Sequence, residues 1–512
     1  MLDLDVYSLL TVLGLAFMLS LVLTPVLRDL AARIGLVDSP DGRRKHQKLP
    51  IPKAGGLAVF IATTLGILGL SMYGFSFPNL VSSEPRLASL FGASCIIVVV
   101  GLLDDLYGLR GRHKLVGQFI AVSYLVYFEH LSIQQFSLFG MPIDLGNFGI
   151  VLTYLWMIGI INAINLIDGM DGLLGLIGIV VCLSLAAVAG LIGNGYVAVV
   201  SIALAGALMG FLCFNLPPAN VYLGDCGSML IGLVLGALSI QGSMKGPTAM
   251  ALAVPITMLT LPILDTLAAI ARRKLTGRSI YTTDRGHLHH SLLRAGLNRA
   301  MVLVLVAVLG LVASAGAIAS TLLQNDLYSF AAALIIVITL IGTRLFGHAE
   351  YTLVREKIRA LAANAMNGSR EGRSHQSQVR LQGSVRWQGI WEELTAVAFR
   401  RNFRSLCLDV NAPAMHEGYH ARWDRFGSTG SHEEKTDWRA DLPITLGGKV
   451  IGRLTAIGLL DSEPIWVKLQ QLAEMVRTTE INVHRLTEQL AVAKPPAAQP
   501  VPAFVTAVTA AS

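Results

Sequence analysis

Charge is scarce in this chain. Only 14% of its 512 residues are charged, against about 25% in an ordinary soluble domain. Cysteine is scarce too. Cys95, Cys182, Cys213, Cys226 and Cys407 have no paired spacing, which gives no support to a disulfide framework. Four of them lie in or beside apolar runs and read as small buried hydrophobes. The apolar runs do not alternate with polar residues, which excludes a transmembrane β-barrel. The first run, Tyr7 to Val26, lacks a basic leader and a small-residue cleavage site. It is therefore expected to remain as a helix and not to be removed as a signal peptide.

What is abundant is hydrophobic length. The chain is 53% hydrophobic, and several apolar runs approach about 20 residues, enough to cross a bilayer as a helix. Lipid offers no partner to bare backbone groups, so helices are the economical solution. The pattern predicts an all-α polytopic membrane protein with about eleven transmembrane helices and a small C-terminal soluble α+β domain. The spans are placed at 6–27, 55–73, 87–103, 114–128, 147–164, 173–192, 196–214, 228–241, 248–270, 300–321 and 327–346. The eighth is short and carries Gly232 and Gly236, which suits tight packing inside the bundle.

Orientation follows from where basic residues are missing. The segment 129–146 has no Lys or Arg, and Lys245 is nearly alone in its loop. The segments after the first and ninth spans hold seven basic residues each, among them Arg43, Arg44, Lys45, Lys53, Arg272, Arg273 and Lys274. Loops after odd-numbered spans are thus expected to be cytoplasmic, with the N-terminus outside and the C-terminus inside.

Composition changes after residue 347. Residues 1–347 are read as the membrane domain and 348–380 as a helical and polar linker. Residues 381–492 read as a cytoplasmic α+β domain, GAF- or PAS-like, with a hairpin at Gly447-Gly448 and an amphipathic helix from Ile465 to Val492. The Pro- and Ala-rich 493–512 is expected to be disordered.

Four polar constellations interrupt the apolar pattern, and all fall on the side expected to be cytoplasmic. The first is G-L-L-D-D-L-Y-G-L over 101–109, with Lys114 nine residues after Asp105. Adjacent carboxylates can bind a divalent ion, or one can keep its proton. The second is N-A-I-N-L-I-D-G-M-D-G over 162–172. Asn162, Asn165, Asp168 and Asp171 recur every three residues, and on a helix the first three share one side. Charged groups at mid-bilayer cost roughly 2.5–3.5 kcal/mol each, so such a run needs a reason. Its amide and carboxylate oxygens are hard ligands that suit Mg²⁺ or Mn²⁺. The third is N-L-P-P-A-N-V-Y-L-G-D-C-G-S over 215–228. Asp225 lies there between glycines at a helix start, where backbone N–H groups could also meet a phosphate. The fourth is D-R-G-H-L-H-H over 284–290, whose cations and imidazoles suit an anionic substrate better than zinc. A basic loop, D-S-P-D-G-R-R-K-H over 38–46, could bring further cations toward a nucleotide diphosphate.

In that order, the motifs L-L-D-D, N-A-I-N-L-I-D-G-M-D-G-L, N-V-Y-L-G-D-C-G-S and D-R-G-H-L-H-H-S-L resemble those of the polyprenyl-phosphate N-acetylhexosamine-1-phosphate transferases. This superfamily includes the MraY, WecA and TagO enzymes. The resemblance covers about residues 5–347. The form H-L-H-H is similar to the WecA/TagO branch, whereas MraY enzymes carry a P-I-H-H-H type of sequence. That favours UDP-N-acetylglucosamine, or another UDP-N-acetylhexosamine, over UDP-N-acetylmuramoyl-pentapeptide. The implied reaction joins UDP-N-acetylhexosamine and polyprenyl phosphate to give polyprenyl-diphospho-N-acetylhexosamine and UMP. The implied cofactor is Mg²⁺, with Mn²⁺ as the alternative.

The resemblance also implies roles. Asn165 and Asp225 match metal-binding positions. Asp104 and Asp105 match a pair that orients or deprotonates the lipid phosphate, and Lys114 matches a phosphate contact. Asp171 matches a position near the uracil, and His287, His289 and His290 match a loop over the sugar and phosphates. Asp168 joins the catalytic set; Asn162, Arg285 and Lys45 join the substrate contacts. Two anions must meet in this reaction, so charge neutralisation and positioning matter more than covalent chemistry. Direct in-line attack by the lipid phosphate is preferred, and an aspartyl-phosphate route stays open. Nucleic acid is not an expected partner; a homodimer and downstream glycosyltransferases are left open. A transporter would place ionisable groups near mid-bilayer instead of at one face. A sensor with a degenerate membrane region would not need the intact motif set.

Overall fold

A computed structural model describes residues 6–38, 50–70, 85–138, 141–243, 253–275 and 286–348. Beyond these it describes parts of 350–358, then 375–382, 387–412, 417–425, 437–459 and 464–492. The chain divides into two compact units, Met1–Tyr351 and Thr352–Ser512.

In the first unit the described helices are α1 (Val6–Ile34), α2 (Gly55–Leu68), α3 (Pro85–Tyr107), α4 (Gly111–Phe128), α5 (Phe148–Ile167), α6 (Leu173–Leu191) and α7 (Gly195–Asn215). They continue with α8 (Gly224–Ser243), α9 (Ala253–Met258), α10 (Thr260–Leu275), α11 (Leu288–Arg294), α12 (Arg299–Leu323) and α13 (Leu327–Gly342). Two short antiparallel pairs, β1 (Val37–Asp38) with β2 (Ile51–Pro52) and β3 (Gln135–Leu138) with β4 (Met141–Asp144), lie in the loops.

Burial decides how apolar each helix is. Ser8, Val12, Ala16, Ser20 and Thr24 recur every four residues on α1 and are buried. This narrow stripe of small side chains packs against α7, while Leu10, Met18 and Val22 on other faces are exposed. Only 22% of the α1 apolar window is buried, and its mean hydropathy is 2.3. The window of α8 is 89% buried, and its mean hydropathy is only 1.4. α8 is the centre of the bundle, packed by α2, α3, α5 and α6. A helix that meets protein on all sides has no need of a lipid-compatible surface.

Seven described helices, α1, α3, α5, α6, α7, α8 and α12, are long and apolar enough to span a bilayer. This makes the first unit a multi-pass membrane unit. α2 and α13 are apolar but shorter. α4 carries Arg112, His113 and Lys114 in its first turn. The expected ninth span is broken at Leu259 into α9 and α10, and 244–252 lie outside the described residues. Pro262 stands in the first turn of α10, where its missing N–H does least harm. The expectation of buried cysteines holds only in part, since Cys95 and Cys407 are half-buried. Cys182 and Cys226 are buried, whereas Cys213 is exposed on α7.

Glycine sets the closest crossing. A Cβ on Gly56 of α2 would overlap the backbone of Gly227, and one on Gly101 of α3 would overlap the backbone of Cys226. Both partners lie in the first turn of α8. Three helices therefore meet backbone to backbone at one end of the bundle.

The second unit is a five-stranded antiparallel sheet with two helices. Its elements are β5 (His375–Gln382), α14 (Trp387–Arg400), β6 (Phe403–Ala412), β7 (Glu417–Asp424), β8 (Asp437–Leu446), β9 (Lys449–Leu459) and α15 (Ile465–Val492). The strand order is β5-β7-β6-β9-β8. β5 begins at His375, inside the stretch 348–380 read as a linker. Alternate residues Leu406, Leu408, Leu454 and Ala456 are buried, and α14 and α15 pack on the sheet with Trp391, Leu394, Leu472 and Met475 in the same core. Gly447 and Gly448, with φ of 56° and 74°, make the two-residue β8–β9 turn, which needs positive φ at both positions. Residues 493–512 lie outside the described residues.

Candidate active site

The glycine crossing brings the C-terminal end of α3 against the N-terminal end of α8. There Asp105 accepts hydrogen bonds from the backbone N–H groups of Asp225 and Cys226, each at 3.1 Å. The third constellation was read as offering such N–H groups to a phosphate. The structure corrects this for Asp225 and Cys226, whose donors are taken by the chain's own carboxylate. Lys53 Nζ stands 3.4 Å from Asp105 and 3.8 Å from Asp38. Lys53 is held between β2 and α2, and both of its flanks are zipped along the α7–α8 loop. Tyr222 N donates to Pro52 O at 2.8 Å, and Gly55 N and Gly56 N donate to Tyr222 O and Leu223 O at 2.9 Å.

Asp104, one residue earlier, accepts from Leu109 N at 2.7 Å and pairs with Lys114. Lys114 Nζ also stands 3.3 Å from Asp225 Oδ1. The same Oδ1 accepts from Asn165 Nδ2 at 2.6 Å, and that amide also donates to Ser228 Oγ at 2.8 Å. Asp104, Asp105, Lys114, Asn165 and Asp225 thus form one cluster from four helices. Exposure separates their uses. The side chains of Asp104 and Asp105 are 3% and 0% exposed, whereas Lys114 and Asp225 keep 23% and 28%. Lys114 and Asp225, with the half-buried Asn165, are the groups of this cluster that open toward a ligand.

The 162–172 stretch divides. α5 ends at Ile167, and Asp168 is its C-cap with φ −74° and ψ 60°. The helical stripe expected to include Asp168 therefore stops at Asn165. Asn162, nearly a turn earlier, donates to Gln118 Oε1 at 2.7 Å and ties α5 to α4. Asp171 Oδ2 accepts from Ala219 N at 3.2 Å and from Arg299 at 3.3 Å. Asp171 thus joins the 162–172 stretch to the proline loop and to the start of α12.

Burial, reinforced by Asp225, Asp105 and Asp171, pushes the Asp168 carboxyl up to about 7. A carboxyl whose folded pKa is raised favours folding most below its unfolded value and loses that contribution as pH rises through about 7. Without divalent ions, the thermal midpoint of the purified protein should fall between pH 5 and pH 8 (values on the order of the shifted range). Asp168→Asn should flatten that fall, and an unchanged slope in the variant would remove Asp168 as its cause.

The three histidines gather beside the same stretch. The His289 and His290 ring centroids are 4.2 Å apart, and those of His287 and His289 are 6.4 Å apart. His289 lies on Gly169, where any Cβ would overlap its ring. Burial, then the neighbouring His290, His287 and Arg294, pushes His289 down to about 3. Its ring is neutral, and among the described residues neither ring nitrogen has a hydrogen-bond partner. His287 Nδ1 stands 3.0 Å from Asp265 Oδ2, and Leu288 N donates to Asp265 Oδ1 at 2.8 Å.

Two candidates, Lys45 and Arg285, lie outside the described residues, as does Asp284. Four residues not in the candidate set join the site: Lys53, Ser228, Asp265 and Arg299. Asp265 had a readable signal, an acid inside an expected span. Lys53 had a weaker one, a lysine before a Gly-Gly helix start.

The sequence model described as glycosyl transferase family 4 matches residues 87–243, which carry three of the four constellations. A probable undecaprenyl-phosphate N-acetylglucosaminyl 1-phosphate transferase of Bacillus subtilis (strain 168) is 32% identical over 317 residues, covering 61% of this chain and 83% of that protein. A decaprenyl-phosphate N-acetylglucosaminephosphotransferase of Mycobacterium tuberculosis (strain H37Rv) is 34% identical over 317 residues, 57% of this chain and 77% of that protein. An undecaprenyl-phosphate alpha-N-acetylglucosaminyl 1-phosphate transferase of Escherichia coli (strain K12) is 28% identical over 305 residues, 57% and 78% of the two chains. With the motif cluster assembled at one end of an apolar bundle and relatives matched over most of their length, the chain belongs to the polyprenyl-phosphate N-acetylglucosaminyl 1-phosphate transferases of glycosyl transferase family 4.

Proposed function

We propose that the chain transfers N-acetylglucosamine 1-phosphate from UDP-N-acetylglucosamine to a polyprenyl phosphate, giving polyprenyl-diphospho-N-acetylglucosamine and UMP. Family membership supports the reaction class. One observation carries the assignment of the site: Asp225, at the start of the central helix, gathers Lys114 and Asn165 beside the Asp104–Asp105 pair.

The donor set fits a magnesium ion. Asp104 and Asp225 share the Lys114 ammonium, so the place already answers to a cation. Asp225 and Asn165 supply hard oxygen donors of the kind Mg²⁺ takes. Among the described residues no group of three or more His, Cys, Asp or Glu could hold a metal unaided. That suits an ion bound through one or two protein groups plus substrate phosphates. When bound, Mg²⁺ would neutralise the diphosphate and the departing UMP.

The remaining work falls to the chain. A phosphate monoester is largely dianionic at neutral pH, so the lipid acceptor needs no strong base. It needs its repulsion from the diphosphate offset. Lys114, held by two carboxylates and partly open, meets that charge. Asp105 fixes α8 and Lys53, so Lys114, oriented by the buried Asp104, is assigned to the acceptor phosphate. Asp171, with Arg299 beside it, is assigned to the uridine side. The His287–His290 cluster, packed on Gly169, is assigned to the sugar and phosphates.

The reading keeps eleven crossings and a cytoplasmic site; Lys53 at the site and Arg272, Arg273 and Lys274 at the end of α10 support that side. A reporter fused after residue 347 should be active only on the cytoplasmic side.

The deciding assay is UMP release by purified protein from UDP-N-acetylglucosamine and polyprenyl phosphate. Release should require both substrates, stop with EDTA and return with Mg²⁺. Absence of UMP release across a panel of UDP-sugars would refute the function. A phosphorylated protein trapped with UDP-sugar but no lipid would replace in-line attack with a covalent route.

A further inference from the structure

We propose that Asp265 is a positioning residue for the transfer. It fixes His287 as the Nδ1–H tautomer, so that Nε2, which then carries the lone pair, is the nitrogen presented to a substrate hydroxyl. The inference rests on the functional reading above.

Asp265 lies in α10 between Leu264 and Thr266 and is 1% exposed. A carboxylate at such a place costs several kcal/mol unless its oxygens are satisfied. α10 itself does not satisfy them. Both bonds run to the histidine loop: Oδ2 meets His287 Nδ1 at 3.0 Å, and Oδ1 accepts from Leu288 N at 2.8 Å. A carboxylate is acceptor-only, so His287 Nδ1 must carry the proton. The tautomer is set by the partner of one nitrogen, which leaves the other for chemistry.

The second hold on the loop lies two turns along the same helix. Arg272 is buried, pairs with Glu350, and its guanidinium lies so close under Gly286 that a Cβ there would overlap it. α10 thus clamps the loop at Gly286 through Arg272 and at His287-Leu288 through Asp265. The Asp265 contact specifies a hydrogen-bonding state of the ring, which packing alone does not require.

Asp265→Asn separates the two roles. Asn keeps the shape and can still accept from Leu288 N, but its amide N–H₂ turned to His287 cannot accept from Nδ1–H. The variant should fold with a thermal midpoint near that of the wild type. Its kcat for UMP release should fall on the order of 100-fold, with KM for UDP-N-acetylglucosamine within about 3-fold. In a His287→Gln background, adding Asp265→Asn should cost less than about 3-fold more, because the residue it acts through is gone. A kcat close to wild type, or a loss that adds in full to that of His287→Gln, would overturn the proposal in favour of simple loop capping. A readout free of turnover is the ¹⁵N spectrum of histidine-labelled protein, with His287 assigned from His287→Gln. The Nδ1–H tautomer is expected in the wild type and should be lost in Asp265→Asn; the same tautomer in both would overturn the proposal. If the wild type turned over no UDP-sugar, the functional reading would fail, and the spectra would still decide the tautomer.

Discussion

Asp225→Ala should lower UMP release by roughly 10³-fold or more while the membrane unit remains folded. The side chain is the hub of the cluster, since its Oδ1 receives both Asn165 and Lys114. Removing it leaves Asn165 without its charged acceptor and leaves Lys114 paired with Asp104 alone. It also removes the partly exposed carboxylate assigned to the ion. Folding should survive because the helix start is held by backbone: Asp225 N and Cys226 N still donate to Asp105. Asp225→Asn is the sharper variant. It keeps the shape and an acceptor for Lys114 but carries no charge. Near-equal losses in Ala and Asn would assign the effect to charge, and rescue by excess Mg²⁺ should be poor in both. Turnover within about tenfold of the wild type would sink the metal assignment, since removing one group that neutralises developing charge costs more than that.

Gly101→Ala should be nearly as damaging, for a steric reason. The new Cβ would overlap Cys226 Cα and crowd Cys226 N. These are backbone atoms of the first turn of the central helix and cannot rotate away. α3 would have to retreat from α8, stretching the two bonds from Asp105 and moving Asp104 from Lys114. Overpacking of this kind costs about 1–3 kcal/mol, and a misplacement of about 1 Å can cost 100-fold in rate. The expected result is both a lower thermal midpoint and a loss of at least about 100-fold in kcat. Gly14→Ala is the control, because a Cβ there meets nothing within 4 Å. It should leave activity unchanged and be neutral or slightly stabilising. A Gly101→Ala protein with wild-type kcat would show that the crossing does not set the distances in the site.

Much of this site was legible in the sequence because its signals are local. Apolar runs give helices, a polar residue at the end of a run marks a boundary, and Gly447-Gly448 marks a hairpin. The pairing of elements was less legible. Lys53 meets Asp105 across 52 positions, and Asp265 meets His287 across 22 (differences of residue number). No periodicity within one element encodes such contacts. Asp168 illustrates a second limit. The three-residue spacing put it on the helical stripe, but the Gly169–Gly172 turn ends the helix one residue too early. A third is the two jobs one motif can do. The Asp104-Asp105 pair reads as one functional unit, yet Asp105 is buried in holding α8 while Asp104 faces the lysine. Membrane crossings show the same limit, because α2 and α13 are apolar but short, and their places depend on neighbours.

The Asp105 contact with α8 bears on where the proposed site would find its positive charge. The positive end of a helix is permanent, and many proteins lend it to a bound phosphate. Here the first-turn donors of Asp225 and Cys226 are used to close the fold. On the proposed reading, the charge that meets the substrate comes from Lys114, held by Asp104 and Asp225, and from the proposed magnesium ion. Under that proposal, turnover should follow free magnesium and ionic strength more closely than at a site built on fixed dipoles.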